Sequence, residues 1–598
     1  MCFCHPPWLD LRRVLRGAKL TRRTNLRSNK EYDMSLKTVL MGAVAATALA
    51  PAAFAERGSD GALRIIYWQA PSTMNPFLSG GTKEIEASSM VIEPLTRFDE
   101  TGAIQPWLVE EIPTVENGGI SEDLTTITWK LTPGILWSDG TAFTSADVKF
   151  TYEYCTHPEA GCAQITKFEG ISSIETPDDL TVVITFDAPT PYPFAAFGGA
   201  ESPIIQAAQF ADCIGPAAPT CTEQNFNPIG TGAFVVTDFR PNDVITLEAN
   251  PNYRDPAKPA FASINFKGGG DAIGAARAVL ETGEFDYAWN LQVAPDVLAE
   301  MEGSGRGELM TSFGPSVERI MLNNTNPDPA LGPDERAVIR PHPFLQDPAV
   351  YNAMSLAVDR VLLAEIGYGA GGQVTCNWVP APAAYNSDTF TCDTQDIDAA
   401  NAMLDEAGIV DTDGDGVREK DGVPLSILFQ TSTNSIRQDY QALIKEWWSQ
   451  IGIETELRNI DASVFFGGDA GSPDTFQRFY ADVEMYTNTF SGTDPQAYLA
   501  NMLCDKAPSP SSQWQGENIS RFCMKEYDAL WNTLAQTSDL DERASIGRQL
   551  NDMAVSNGAM IPLTHRGDIS AKATSLEGVR MNSWDSELWN IADWSRSE

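Results

Sequence analysis

The chain has 598 residues, with 81 Asp and Glu against 41 Lys and Arg and a formal net charge of −40. That length suits two or three domains. Acidity on this scale excludes nucleic acid and anionic lipid as partners unless a local basic patch intervenes, and the sequence offers none outside its first residues.

The N-terminus carries its own instruction. Met34-Ser-Leu-Lys37 precedes an apolar run at 38–49 and an Ala53-Phe54-Ala55 site. A positive start, an apolar middle and an A-x-A end make residues 34–55 a secretory signal peptide, cleaved after Ala55. The run is too short to span a membrane. Residues 1–33, upstream of a complete signal with its own methionine, read as an over-extended gene start. No lipobox cysteine precedes the cleavage site, and Arg12-Arg13 lies too far from the apolar run for a twin-arginine signal. Cys2 and Cys4 leave with this segment. The other eight cysteines lie in close pairs. Eight cysteines allow 105 pairings. Sequential pairing closes short loops, C-x-x-C metal spacing is absent, and an oxidising compartment favours local bridges. The expected set is Cys155–Cys162, Cys213–Cys221, Cys376–Cys392 and Cys504–Cys523.

From Leu63 the chain reads L-R-I-I-Y-W-Q-A-P-S-T-M-N-P-F, an apolar strand ending in a proline-broken loop. A helix is expected over 85–95, then a short strand and turn in E-P-L-T-R-F-D-E-T-G. At 125–131 the pattern alternates strictly: Thr125, Ile127, Trp129 and Leu131 face one way, as in a half-buried antiparallel strand. Pro133-Gly134 breaks it, Ser138-Asp139-Gly140 makes a tight turn, and Thr144-x-x-Asp147 reads as a capping box opening a helix with Val148, Tyr152 and Cys155 at helical spacing. This order (strand, W-S-D-G-T-x-F-T-S-A-D-V turn, capped helix) resembles the signature segment of the peptide/nickel class of bacterial extracytoplasmic solute-binding proteins, the oligopeptide- and dipeptide-capturing subunits of ABC importers. The resemblance runs from about residue 63 to 594.

The resemblance implies an α/β, bilobal periplasmic-binding-protein fold with an extra, largely β subdomain. It divides the chain into lobe I at 56–97, an inserted β subdomain at 98–228, lobe I again at 229–322, lobe II at 323–567 and a return to lobe I at 568–598. It places Tyr67, Trp68 and Asn75 near the ligand cleft, where core aromatics are the competing reading. Gly230-Thr-Gly232 lacks the rest of a phosphate-binding signature and matches a structural crossing in the family. A hairpin at 234–249 and a helix at 272–281 follow, and Trp289 and Asn290 end a short strand at the cleft floor. Residues 320–324 match the strand passing into lobe II. H-P-F-L-Q-D-P-A-V-Y-N-A-M-S-L-A-V-D-R matches a family helix, as does 397–408, ending on Gly408.

Asp411-Thr-Asp413-Gly-Asp415-Gly416 copies the front half of a calcium loop, with Asp421 as a fourth candidate ligand. Gly422 occupies the position where a bidentate glutamate is required, and a strand rather than a helix follows, so a solvated acidic turn competes with a structural calcium site. No other cofactor is implied. A strand at 425–430 leads to a helix at 436–451, whose start carries Thr431 and Asn434. Free N–H groups there favour a ligand carboxylate, and Arg437 offers a bidentate clamp; ordinary helix capping is the alternative. Further on, family members that bind peptides carry G-x-x-x-D-x-x-D-P, the first aspartate holding the peptide's α-ammonium. Here Asp494-Pro495 matches the second and Ser491 replaces the first. Without that carboxylate a charged N-terminus has no partner at this point. Thr487, Asn488 and Phe490 suit a neutral or hydroxylated ligand instead.

Only His157, His342 and His565 remain after processing, and no H-E-x-x-H, G-x-S-x-G or Ser–His–Asp order is present. The expectation is not an enzyme but a monomeric periplasmic receptor, passing a peptide or similar-sized solute to an ABC permease and ATPase in the inner membrane. An oligosaccharide or opine-like solute stacked on Trp68, Trp289, Trp378 or Trp514 is the alternative cargo. A periplasmic chaperone or sensor is the alternative class.

Overall fold

The computed structural model describes residues 57–159, 161–469 and 471–597; the expected leader at 1–55, with Cys2 and Cys4, lies outside them. Strand β1 (Ala62–Tyr67) buries alternate residues, Leu63, Ile65 and Tyr67. Strands β2 (Thr126–Lys130), β3 (Ile171–Asp178) and β4 (Thr181–Phe186) make a separate antiparallel sheet in the order β2-β4-β3. In β2, Ile127 and Trp129 point into the core, as the alternation requires. The helix Ser145–Thr156 behind it opens on the Thr144/Asp147 capping box. The Thr144 N–H donates to Asp147 Oδ2 at 2.9 Å.

Two larger sheets carry the rest. Strands β5 (Phe234–Arg240), β6 (Val244–Ala249), β7 (Ser263–Gly268), β8 (Tyr287–Trp289) and β9 (Gly307–Ser312) join β1. Strands β10 (Val317–Leu322), β11 (Gly372–Val374), β12 (Ser426–Ser432), β13 (Glu454–Ile460), β14 (Val483–Asn488) and β15 (Met560–Arg566) form the second sheet, and β16 (Asp568–Ala573) returns to the first. The orders are β9-β16-β8-β1-β7-β6-β5 and β11-β15-β10-β14-β12-β13. At the heart of the first sheet β1 runs parallel to β7 and β8. In the second, β12 runs parallel to β13 and β14, while β10 lies antiparallel between β14 and β15. All six residues of β10 are buried, as a central strand covered on both faces demands.

The chain therefore passes between the two sheets twice, at 313–316 and at Gly567. The first passage falls before β10, not after residue 322, because β10 already pairs with β14 and β15. Gly314 belongs to this passage because a Cβ there would sit 2.3 Å from the Ser583 carbonyl oxygen. A similar contact explains Gly230: a Cβ would meet the Val91 carbonyl oxygen at 1.8 Å, so the G-T-G run is a close backbone crossing. The helix expected at 85–95 runs instead over Thr82–Ser88. The Ser88 and Ser89 hydroxyls donate back to the Ile85 and Glu86 carbonyls and end it.

All four cysteine pairs are joined as disulfides, with Cα atoms between 4.5 and 5.8 Å apart. No helix among the described residues is long and apolar enough to cross a membrane.

Candidate functional site

Between the two sheets lies a cavity enclosing about 810 Å³ of space free of protein atoms, its mouth included. The first sheet supplies Trp289 and Asn290 at the end of β8, helped by residues 80–83, where a helix begins, and the segment 582–587. The second supplies Tyr486, Thr487 and Asn488 from the end of β14, with Phe466, Phe476 and Arg437. Ser316 comes from the first passage between them, and Arg566 and Asp568 are the strand ends on either side of the second. Strand ends deliver these side chains because ligands of open α/β sheets sit where strands stop and loops diverge. Trp289 is held flat by Tyr67 beneath it, ring centroids 4.6 Å apart and planes 8° apart. Across the cavity Tyr486 packs edge-on against Phe476 at 5.3 Å.

The cavity continues into two more. A space of about 580 Å³ shares Gly80, Thr82, Asn488, Thr489 and Asp585 with the first. One of about 390 Å³ shares Lys167, Phe490, Ser491, Ala497 and Tyr498 with the second. The three make one elongated trench. Its middle contains Glu201, which Lys167 neutralises and which accepts the Ser491 N–H at 3.3 Å. Beside it Glu517 is pushed up to about 8 by burial, with Glu201's charge adding to the effect, and its Oε1 has no hydrogen-bond partner.

Of the residues expected here, Trp289, Asn290, Arg437, Thr487, Asn488, Phe490 and Asp494 line the trench. Five do not. Tyr67 supports Trp289 from below. Trp68 is 3% exposed and donates its Nε1–H to the Asn290 carbonyl at 2.8 Å. Asn75 caps a turn by accepting the Phe77 N–H and donates to Asn225 and Tyr154. Thr431 donates to the Met485 carbonyl inside the second sheet, and Asn434 caps the helix Ser435–Ser449 and donates to Gln292. Their side chains are spent on the fold.

Two lining residues also differ from expectation in charge. Arg437 faces the trench, but its fork is taken by the fully buried Glu318: Nε donates to Oε1 at 2.8 Å and Nη2 to Oε2 at 3.1 Å. Burial opposes both charges, yet their mutual attraction holds Arg437 above and Glu318 below the usual range. Arg437 is therefore no free carboxylate clamp. Asp494 receives Arg543 Nη2 at 2.6 Å and the Tyr385 hydroxyl at 3.2 Å, so its charge is likewise answered from within. The residue that does retain spare donor capacity is Arg566. It is 6% exposed, donates Nη2 to Asn290 Oδ1 at 2.9 Å, and has no partner at Nε. Of the four candidate tryptophans only Trp289 lines the trench; Trp68, Trp378 and Trp514 are buried elsewhere.

Arg566, Glu517, Glu201 and Lys167 were not foreseen. They lie far apart in sequence without motif spacing, and M-I-P-L-T-H-R reads as an ordinary strand.

In the acidic loop, ligand-capable oxygens of Asp411, Asp413, Asp415 and Glu419 lie within 4.8 Å of one another; Asp421 is not in this group and Glu419 takes its place. Asp411 accepts the Gly414 and Gly416 N–H groups at 2.7 and 2.9 Å, the pattern of a self-bonded turn. The three histidines are engaged structurally. His157 Nδ1 accepts the Glu159 N–H, His342 bonds Asp482, and His565 donates to the Gly314 carbonyl at 2.8 Å.

Two sheets joined by two passages, with a trench walled by both, define the class of bilobal solute receptors. A family model for the middle region of bacterial extracellular solute-binding proteins, family 5, matches residues 103–509. The chain belongs to this family, whose members are non-enzymatic transport receptors; it is an ABC-transporter solute-binding protein of the peptide/nickel class. It is 24% identical over 514 residues to the glutathione-binding protein GsiB of Shigella dysenteriae serotype 1, covering 85% of this chain and 89% of that one. The oligopeptide-binding protein AppA of Bacillus subtilis, solved with a nonapeptide, superposes with a TM-score of 0.77 at 21% identity, covering 91% of this chain and 100% of that one. AgaA of A. tumefaciens R10, in complex with agropinic acid, gives 0.71 at 20% identity, covering 90% and 99%.

Proposed function

We propose that this protein captures an elongated polar solute, foremost a short peptide, in the periplasm and delivers it to an inner-membrane permease driven by an ATPase. The observation that carries this reading is the trench: three confluent cavities extend from Trp289 to Asp494, an elongated site rather than one compact pocket. Its walls combine flat aromatic surface with amides and hydroxyls at Asn290, Thr487, Asn488 and Ser491, the composition that binds by excluding water and fixing orientation with a few polar contacts. Arg566 suits a solute carboxylate. The peptide-bound relatives support the same cargo class. Residues 98–228 would form an accessory subdomain. A second reading, an opine-like or glycan solute, is favoured by Ser491 and by the internal neutralisation of Asp494.

The test is a thermal-shift screen of di- to nonapeptides, opines and oligosaccharides, followed by solution scattering. A peptide that raises the melting temperature and lowers the radius of gyration is the expected result. Stabilisation by an opine or glycan alone transfers the cargo to the second reading. Binding only to unfolded chains would make the protein a chaperone.

A further inference from the structure

The first-lobe floor of the main cavity contains two carboxylates that hydrogen bonds hold but that no cation among the described residues pairs with. Glu86, on the helix Thr82–Ser88, and Glu587, near the C-terminus, are each 3% exposed and both line the cavity. Glu86 accepts the Ser586 hydroxyl at 2.7 Å and the Glu587 N–H at 3.1 Å. Glu587 Oε2 accepts the Ser570 hydroxyl at 2.6 Å and the Tyr287 hydroxyl. Neither meets a lysine or arginine among the described residues. The nearby cations lie elsewhere: Lys83 is paired with Glu84, Arg437 with Glu318 and Arg97 with Asp585, while Arg566, its Nε free, meets Asn290 and, at 3.4 Å, Asp568 rather than either glutamate.

Other acids worsen the imbalance. Asp585 faces Glu86, Asp568 faces Glu587, and the hydroxyls of Tyr67 and Tyr287 crowd the same place. Two neighbouring carboxylates out of water cannot both ionise without a counter-charge. Burial pushes Glu86 up to about 7. Burial, then the charge of Glu86, push Glu587 well above the carboxylate range. Without a counter-charge the pair thus retains a proton at neutral pH. The rings of Trp289, Phe466, Phe476 and Tyr486 line the same cavity, and aromatic faces attract cations.

We propose that Glu86 and Glu587 are the specificity-determining receptor for a cationic group of the solute, a primary ammonium or a guanidinium. This rests on the reading of the trench as the solute site. It locates the cation on the first lobe, away from Ser491. The entering cation replaces the retained proton, which leaves to solvent.

The experiment is calorimetry at pH 7.5 with two matched pairs of probes: tetra-alanine against N-acetyl-tetra-alanine, and an acetylated arginine tripeptide against its citrulline counterpart. At least one charged probe should bind tenfold or more tightly than its neutral partner. In the wild-type protein its binding enthalpy should differ between phosphate and Tris buffers by the heat of a released proton. Its affinity should weaken as pH falls from 7.5 to 5.5, because protons compete for the pair. Glu587→Gln and Glu86→Gln should abolish the preference while still binding the neutral probe, which certifies their fold. Equal affinity for charged and neutral probes, no proton release, or a preference that survives both substitutions would overturn the cation site and leave the transport reading standing. A protein that binds none of the four probes would overturn both the cation site and the peptide cargo.

Discussion

Glu517 is a buried acid whose position makes stability depend on pH. Its folded form titrates at about 8, against an ordinary value of 4.5. The native state therefore binds its proton more tightly than the unfolded chain, so stability falls as pH rises through the window from about 4.5 to 8. At 1.36 kcal/mol per unit the loss reaches up to roughly 5 kcal/mol. Glu517→Gln should flatten part of this fall, giving a higher urea midpoint than wild type at pH 8 and little change at pH 5. Parallel pH profiles for the two proteins would show that Glu517 does not titrate in this range. Arg437 shows the opposite arrangement. Its buried charge is tolerable only because Glu318, the Thr487 hydroxyl and the Tyr368 hydroxyl form a closed network around one carboxylate. That network orients Thr487 at the trench wall and removes Arg437 from ligand chemistry.

The capped helix Ser145–Thr156 is the element whose local chemistry and tertiary role coincide. Thr144 and Asp147 close its first turn, Asp147 Oδ1 also accepts the Ala207 N–H at 3.0 Å, and Cys155 anchors its last turn through the disulfide to Cys162. Thr144→Ala should cost about 1 kcal/mol in denaturant unfolding, the usual worth of such a cap, and leave solute affinity unchanged, since Thr144 does not line the trench. A loss of binding without loss of stability would mean that the subdomain is coupled to the cleft. This stretch was legible from sequence because each signal is local: alternation, a glycine turn and a capping box within thirty residues. The helix at 82–88 was less so. Its apolar residues continue to Leu95, but Ser88 and Ser89 stop it by bonding backward, and the freed segment 89–95 wraps the core.

Across the whole molecule, the two passages at 313–316 and Gly567 set how the lobes approach. The lobes touch directly where Lys83 Nζ donates to the Phe466 carbonyl at 3.1 Å, and the 98–228 region meets the second sheet's side where the Ser491 N–H donates to Glu201. Gly314 lies against the Ser583 carbonyl and accepts His565, so the first passage is pinned from both lobes. Gly314→Ala would push a methyl against a backbone oxygen, which cannot give way as a flexible side chain does. We expect a weakened grip on solute, about five- to tenfold in Kd, of the order of the 1–3 kcal/mol typical of overpacking. Scattering should show less compaction on adding solute. Unchanged affinity and compaction would show that the passage at Gly567 alone carries the motion.

The amino-acid sequence by itself determined the bilobal α/β class, the strand at 125–131 and the capped helix after it, the cysteine pairing and the absence of catalytic motifs. Each is written in spacings of a few residues, or in a family pattern spread over the whole chain. What only the tertiary structure decided is which charges are spent. Arg437 and Asp494 looked available until Glu318, 119 residues away, and Arg543, 49 residues away, were brought against them. Glu86 and Glu587, 501 residues apart, became one acidic floor only when the last segment returned to the first lobe. The reason is physical: hydrogen-bond and turn chemistry act between neighbours in sequence, whereas the fate of a charge depends on whatever folding packs beside it.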